Sequence, residues 1–112
     1  MTAANDRARS KAELNERMQK LWQKFRPVML KRLEPIAHAV GALHDGPLPE
    51  KLKAQAVHEA HKLAGSLGTF GLEAGSEAAL QIERLLSENE VPCPIADIRR
   101  HFNQLRQEIE GK

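Results

Sequence analysis

The residues of this 112-residue chain best suited to chemistry gather in one short stretch, His58-Glu59-Ala60-His61-Lys62, followed at once by Gly65, Ser66 and Gly68. Two histidines around a glutamate invite comparison with a zinc protease motif. That motif needs its second histidine at i+4 so that both rings face one ion, and here that position is Lys62. His58 and His61 alone, at i and i+3, lack a third ligand, so no metal site is expected. Ser66 does not qualify as a nucleophile elbow, which requires a strand-to-helix turn, because Gly65-Ser66-Leu67-Gly68 falls inside a helical pattern. A bond back to a helix carbonyl or packing against a neighbour accounts for this serine better. The remaining chemistry is that of an exposed imidazole, a group largely neutral at pH 7 and nucleophilic at a ring nitrogen.

Helical geometry isolates His61 as that imidazole. At 100° per residue, Leu52, Ala56, Leu63, Leu67 and Phe70 lie within about 40° of one line, the expected core face. On the opposite line fall Ala54, His58, His61, Gly65, Gly68 and Leu72. Glycine inside a helix costs about 1 kcal/mol relative to alanine, so two glycines beside an exposed histidine call for a reason. A bare backbone lets a partner surface approach closely and leaves the imidazole reachable in line. Close packing of a neighbouring helix is the competing reason.

The elements that must position this face are all helical. From Leu14 the apolar residues Met18, Leu21, Phe25, Met29, Leu33, Ile36, Val40 and Leu43 recur in steps of three and four. Ser10 and Glu13 have capping-box spacing, so the first helix is expected to start at Lys11, with a break or kink near Arg26-Pro27 and a second proline at Pro35. His44 to Pro49 is turn chemistry, with Pro49 opening a helix over about 50–70 that Gly71 closes. A third helix is expected over about 72–88 and a last one from Pro94 nearly to the end, where Ile95, Ile98, Phe102, Leu105 and Ile109 form a seam. Trp22 and Met18 read as core. The fold class is therefore all-α, an antiparallel four-helix bundle with an extra N-terminal helical segment. Residues 1–10 are expected to be a flexible N-terminus and 11–112 a single domain.

Composition narrows the function. The length suits one domain with one core, and 29% charged residues with 41% apolar ones disfavour wholesale disorder. Cys93 is the only cysteine, which excludes an internal disulfide and the usual cysteine zinc sites. No apolar stretch approaches the roughly 20 residues of a membrane span and no leader is evident, so a cytoplasmic chain without membrane contact is expected. Residues 1–32 carry nine Lys or Arg against three acids, on a body of opposite balance. The basic residues interleave with an apolar seam, so a solvated helix face is expected rather than nucleic-acid binding.

The stretch His61-Lys62-Leu63-Ala64-Gly65-Ser66-Leu67-Gly68-Thr69-Phe70-Gly71 resembles the signature of histidine phosphotransfer (HPt) domains, helical bundles of about this length. The resemblance implies that His61 carries a phosphoryl group to and from the aspartate of response-regulator receiver domains in a phosphorelay fed by a (hybrid) histidine kinase. His58, Lys62, Gly65 and Gly68 then support the phosphoryl group or the docking. One position departs from the pattern: the family commonly has Lys three residues after the histidine, where this chain has Ala64.

The same resemblance implies no cofactor of its own, since Mg²⁺ belongs to the receiver. It also implies a stoichiometric carrier rather than an enzyme, and the sequence contains no GxxxxGK[ST] nucleotide loop. A single copy is expected, its basic surface steering an acidic receiver. An HPt-like docking module that binds a receiver or kinase without being phosphorylated is the alternative, drawn from Ala64.

Overall fold

The four apolar seams become four helices in the computed structural model, which describes residues 3–112, with side chains from Ser10 onward. They are α1 (Ala3–Ala42), α2 (Glu50–Thr69), α3 (Glu73–Ser87) and α4 (Ile95–Gly111), with a short 3₁₀ turn at Leu43–Asp45. Each helix packs on its sequence neighbours and α4 closes on α1, which gives an antiparallel four-helix bundle. No strand occurs among the described residues.

The core is wholly apolar. Ile36, Leu63, Leu67, Ile82, Ile98, Leu105 and Ile109 are its largest fully buried side chains, and no polar or charged residue is buried among those described. The expected core face of α2 holds, with Ala56, Leu63 and Leu67 inaccessible, but Leu72, expected on the opposite line, is buried, because α2 ends at Thr69 and the chain has turned by then. Gly75 marks the closest approach in the bundle: a Cβ there would stand 3.2 Å from both Glu108 Cβ and Leu67 Cδ1.

The first helix differs from expectation. It begins at Ala3, so Ser10 lies within the helix and does not cap it. Met1 and Thr2 lie outside the described residues. The extra N-terminal segment is thus the leading half of α1. Of the break or kink expected near Arg26-Pro27, a break is absent, since Pro27 and Pro35 both sit inside one continuous helix.

Each proline removes an intrahelical bond at a cost of about 3 kcal/mol. Burial of Met29, Leu33 and Ile36 around them contributes about 1.5–3 kcal/mol apiece, enough to hold the helix together. Arg26 adds a tie across the bundle, its Nε donating to Ile109 O at 3.1 Å and its Nη2 to Glu110 O at 2.7 Å, at the unsatisfied end of α4. Trp22 and Met29 are core as expected. Met18 is half-buried, and Leu14, Leu21 and Phe25 are exposed.

The turn from α2 to α3 is the tightest in the molecule. Gly71 takes φ +77°, a conformation other residues adopt at a cost of about 1–2 kcal/mol. Leu72 N donates to Leu67 O at 2.9 Å and Gly71 N to Gly68 O at 3.1 Å, the paired bonds of a Schellman motif. Leu72 O then accepts from Ser76 N at 2.9 Å in the first turn of α3. Gly71→Ala is expected to lower unfolding free energy by about 1–2 kcal/mol, measured by urea denaturation monitored by circular dichroism.

Candidate functional site

His61 stands midway along α2 with its side chain 70% exposed. Across the groove, Glu83 of α3 meets it: His61 Nδ1 lies 3.0 Å from Oε1 and 3.2 Å from Oε2. An ionised carboxylate only accepts hydrogen bonds, so Nδ1 carries the proton. In the neutral ring that leaves the lone pair on Nε2, because the bond made by one nitrogen sets the state of the other. An ion pair so exposed contributes at most about 1 kcal/mol to stability. Its effect is to fix the tautomer and the rotation of the ring.

The glycines differ in their surroundings. A Cβ on Gly65 would meet nothing within 4 Å, so helix packing does not explain it and the backbone one turn beyond His61 is open to an approaching surface. At Gly68 a Cβ would lie 3.5 Å from Ser76 Oγ of α3, an ordinary contact. Ser76 Oγ donates to Ala64 O at 2.7 Å, and Thr69 Oγ1 to Gly65 O at 3.1 Å. Ser66 faces the other flank, where its Oγ accepts from Arg32 Nη1 of α1 at 3.2 Å.

The remaining expected residues surround the imidazole more loosely. His58 is exposed one turn before it. Lys62 Nζ donates to Glu59 Oε1 at 3.4 Å, which draws its charge toward the α1 side of α2. Ala64 is buried against α3, so the flank of His61 nearest α3 offers no cation; the charged group there is the Glu83 carboxylate. Leu80, one turn before Glu83 on α3, is 43% exposed and adds an apolar contact point to the same surface.

Sequence reading missed Glu83. The signal lies in the hairpin: Gly68 and Ser76 are each four residues from Leu72, and His61 and Glu83 are each eleven. Two antiparallel helices rising equally from one turn bring such residues level. Among the described residues no group of three or more His, Cys, Asp or Glu is placed to hold a metal ion. No described helix is long and apolar enough to cross a membrane.

A four-helix bundle that presents one histidine, oriented by a carboxylate, on a helix face cleared by glycine defines the class of protein. The chain belongs to the Hpt domain family, whose model matches residues 11–111. It is also similar to Protein RcaC of Microchaete diplosiphon, 36% identical over 69 residues, which are 62% of this chain and 11% of that protein. This chain therefore spans only a small part of the curated relative's length. No solved structure matches. The family places the chain in two-component phosphorelay signalling, among phosphocarrier modules rather than enzymes.

Two outcomes follow from the site. Gly65→Ala should raise unfolding free energy by up to about 1 kcal/mol, because the added methyl meets no neighbour while helix propensity improves. Glu83→Ala should let the His61 proton exchange between ring nitrogens, visible as altered ¹⁵N shifts of the labelled imidazole, whereas Glu83→Gln, which keeps an acceptor, should largely preserve the Nδ1–H form.

Proposed function

We propose that His61 is the phosphoryl-carrying residue and that it exchanges this group with the phospho-aspartate of a receiver domain. The observation that carries the reading is the Nδ1 contact with Glu83, which leaves Nε2 as the nucleophile beside the open backbone of Gly65. In the forward step the Nε2 lone pair attacks phosphorus in line. A nitrogen–phosphorus bond forms, the bond from phosphorus to the aspartyl oxygen breaks, and the carboxylate departs with its electron pair. Positive charge developing on the ring is stabilised through Nδ1–H by the Glu83 carboxylate, a preorganised electrostatic contact. The reverse step returns the phosphoryl group to aspartate.

The receiver supplies Mg²⁺ and the acidic pocket, and this chain supplies no nucleotide or metal of its own. It acts in the cytoplasm as a stoichiometric carrier between a histidine kinase or hybrid kinase and a receiver. Gly65, Gly68 and Leu80 form the surface on which the receiver closes, while His58 and Lys62 attract the anionic group from the edge. Because phosphoryl transfer depends mainly on positioning and charge, a misplaced partner surface slows it sharply. The alternative reading, an HPt-like module that docks without accepting phosphate, draws on the lack of a cation at position 64.

The test mixes the protein with a phosphorylated receiver and Mg²⁺ and follows acid-labile label. Wild type should take up label and His61→Gln should not; label on the Gln variant, or none on wild type across a panel of receivers, overturns the assignment. Glu83→Ala should slow transfer by about 10–100-fold, the loss seen when the partner orienting a functional histidine is removed. Gly65→Leu should keep its helix content and transfer more slowly by blocking approach.

A further inference from the structure

The leading half of α1 extends beyond the bundle. A helix of 40 residues is about twice the length of α2, and the molecule measures 64 × 22 × 19 Å. The first buried side chain of α1 among those described is Trp22. Ahead of it every described side chain of the helix except half-buried Met18 is exposed, yet these are not the side chains of a merely solvated helix. Leu14, Met18 and Leu21, and beyond Trp22 Phe25 and Val28, follow one another at steps of four, three, four and three, with Phe25 also lying against Phe70 of α2 at 6.1 Å between ring centroids. That is the spacing of a coiled-coil seam over two heptads.

Leu14, Leu21, Phe25 and Val28 are 58%, 43%, 39% and 42% exposed. Only Leu80 and Val91 are other exposed large apolar residues among those described, so the exposed apolar surface is concentrated on this stripe. Arg17, Lys24 and Lys31, each three residues after a leucine or valine of the seam, line one flank at heptad intervals. All three are exposed, and none has an ion pair among the described residues. On the other flank Asn15 is uncharged, and Trp22 and Met29 are buried in the bundle core.

We infer that the exposed stripe of α1 from Leu14 to Lys31 is a docking surface for an acidic amphipathic helix of a partner protein, apolar along its seam and carrying Glu or Asp opposite Arg17, Lys24 and Lys31. Charge selects this occupant over a second copy of the chain. Antiparallel self-pairing sets Leu14 against Phe25 and Met18 against Leu21, but it also brings Arg17 beside Lys24 at both ends of the contact. Parallel self-pairing places the cations against the uncharged flank and leaves them unmatched. The seam is also narrow, two positions in seven, and the back of the helix is mixed in charge, with Glu13, Glu16 and Lys20. A helix that lies in a lipid interface carries a broader apolar face and a cationic back. The seam lies on α1 and the His61–Glu83 pair on α2 and α3, so an arm-bound partner leaves the imidazole accessible.

The experiment uses the full chain and two labelled synthetic helical peptides with the same Leu seam, one flanked by Glu and one by Lys, with binding read by fluorescence anisotropy. The Glu peptide should bind at least tenfold more tightly than the Lys peptide, and added salt should weaken it. Leu14→Ser lies outside the core and should weaken binding at least tenfold with unchanged circular dichroism. Arg17→Glu with Lys24→Glu should reverse the peptide preference. Equal binding of the two peptides, or none, overturns the inference. A dimer in sedimentation equilibrium that Leu14→Ser dissolves overturns it in favour of a second copy. Leu14-dependent binding to phosphatidylglycerol vesicles without peptide binding overturns it in favour of a lipid surface. His61→Gln should bind the Glu peptide like wild type, so loss of phosphoryl transfer and loss of docking are told apart.

Discussion

The backbone turn at Gly71 sets the register on which the site depends. A residue with φ +77° reverses the chain within the three residues Phe70 to Leu72, and the Schellman bonds hold the reversal rigidly. With so short a connection α2 and α3 cannot slide past one another. Gly68 is fixed beside Ser76, and one further stretch along the hairpin His61 is fixed beside Glu83. A longer loop would allow the same core contacts in several registers, but only one of them pairs the imidazole with a carboxylate.

That register separates two demands which often conflict. The interior is closed to polar groups and supplies the stability, with Leu63 and Leu67 on the buried side of α2. The opposite side of the same helix carries His61 and the open Gly65, at some cost in helix propensity. The strongest polar contact to the ring comes from another helix, so the imidazole is oriented without being buried. Ala64 belongs to this arrangement: its small side chain faces α3, where Ser76 bonds its carbonyl, and the nearby charge is anionic where the family commonly offers a lysine.

Much of this could be read from the sequence, for physical reasons. Three-and-four spacing reports which residues share a face. The approximate limits of α2, α3 and α4 therefore followed from pattern alone, as did the core residues Leu63 and Leu67 and the last seam of Ile98, Phe102 and Leu105. Gly71 announced the end of α2, and the glycines after His61 marked the exposed face. Spacing does not report what covers a face, which is why Leu14, Leu21 and Phe25 read as core and are exposed. Nor do local proline penalties include tertiary burial, so Pro27 looked like a break inside a helix that Met29, Leu33 and Ile36 hold together. Glu83 was hidden because contact between helices depends on register, and register becomes readable only once Leu72 is known to be the centre of the hairpin.

The apolar core also bears on signalling. With no polar or charged residue buried among those described, and the buried, unpartnered Trp22 Nε1 not a titrating group, the described core holds no ionisable group that could answer a charge gained or lost at the surface. A phosphoryl group on an exposed ring would alter the local field and leave the packing beneath it indifferent. The loaded and unloaded forms would then share one shape and nearly one stability, so a partner could distinguish them only by touching the ring itself. A scaffold of this kind favours neither direction of exchange, and the direction of flow is left to the relative energies of the aspartyl phosphates it meets.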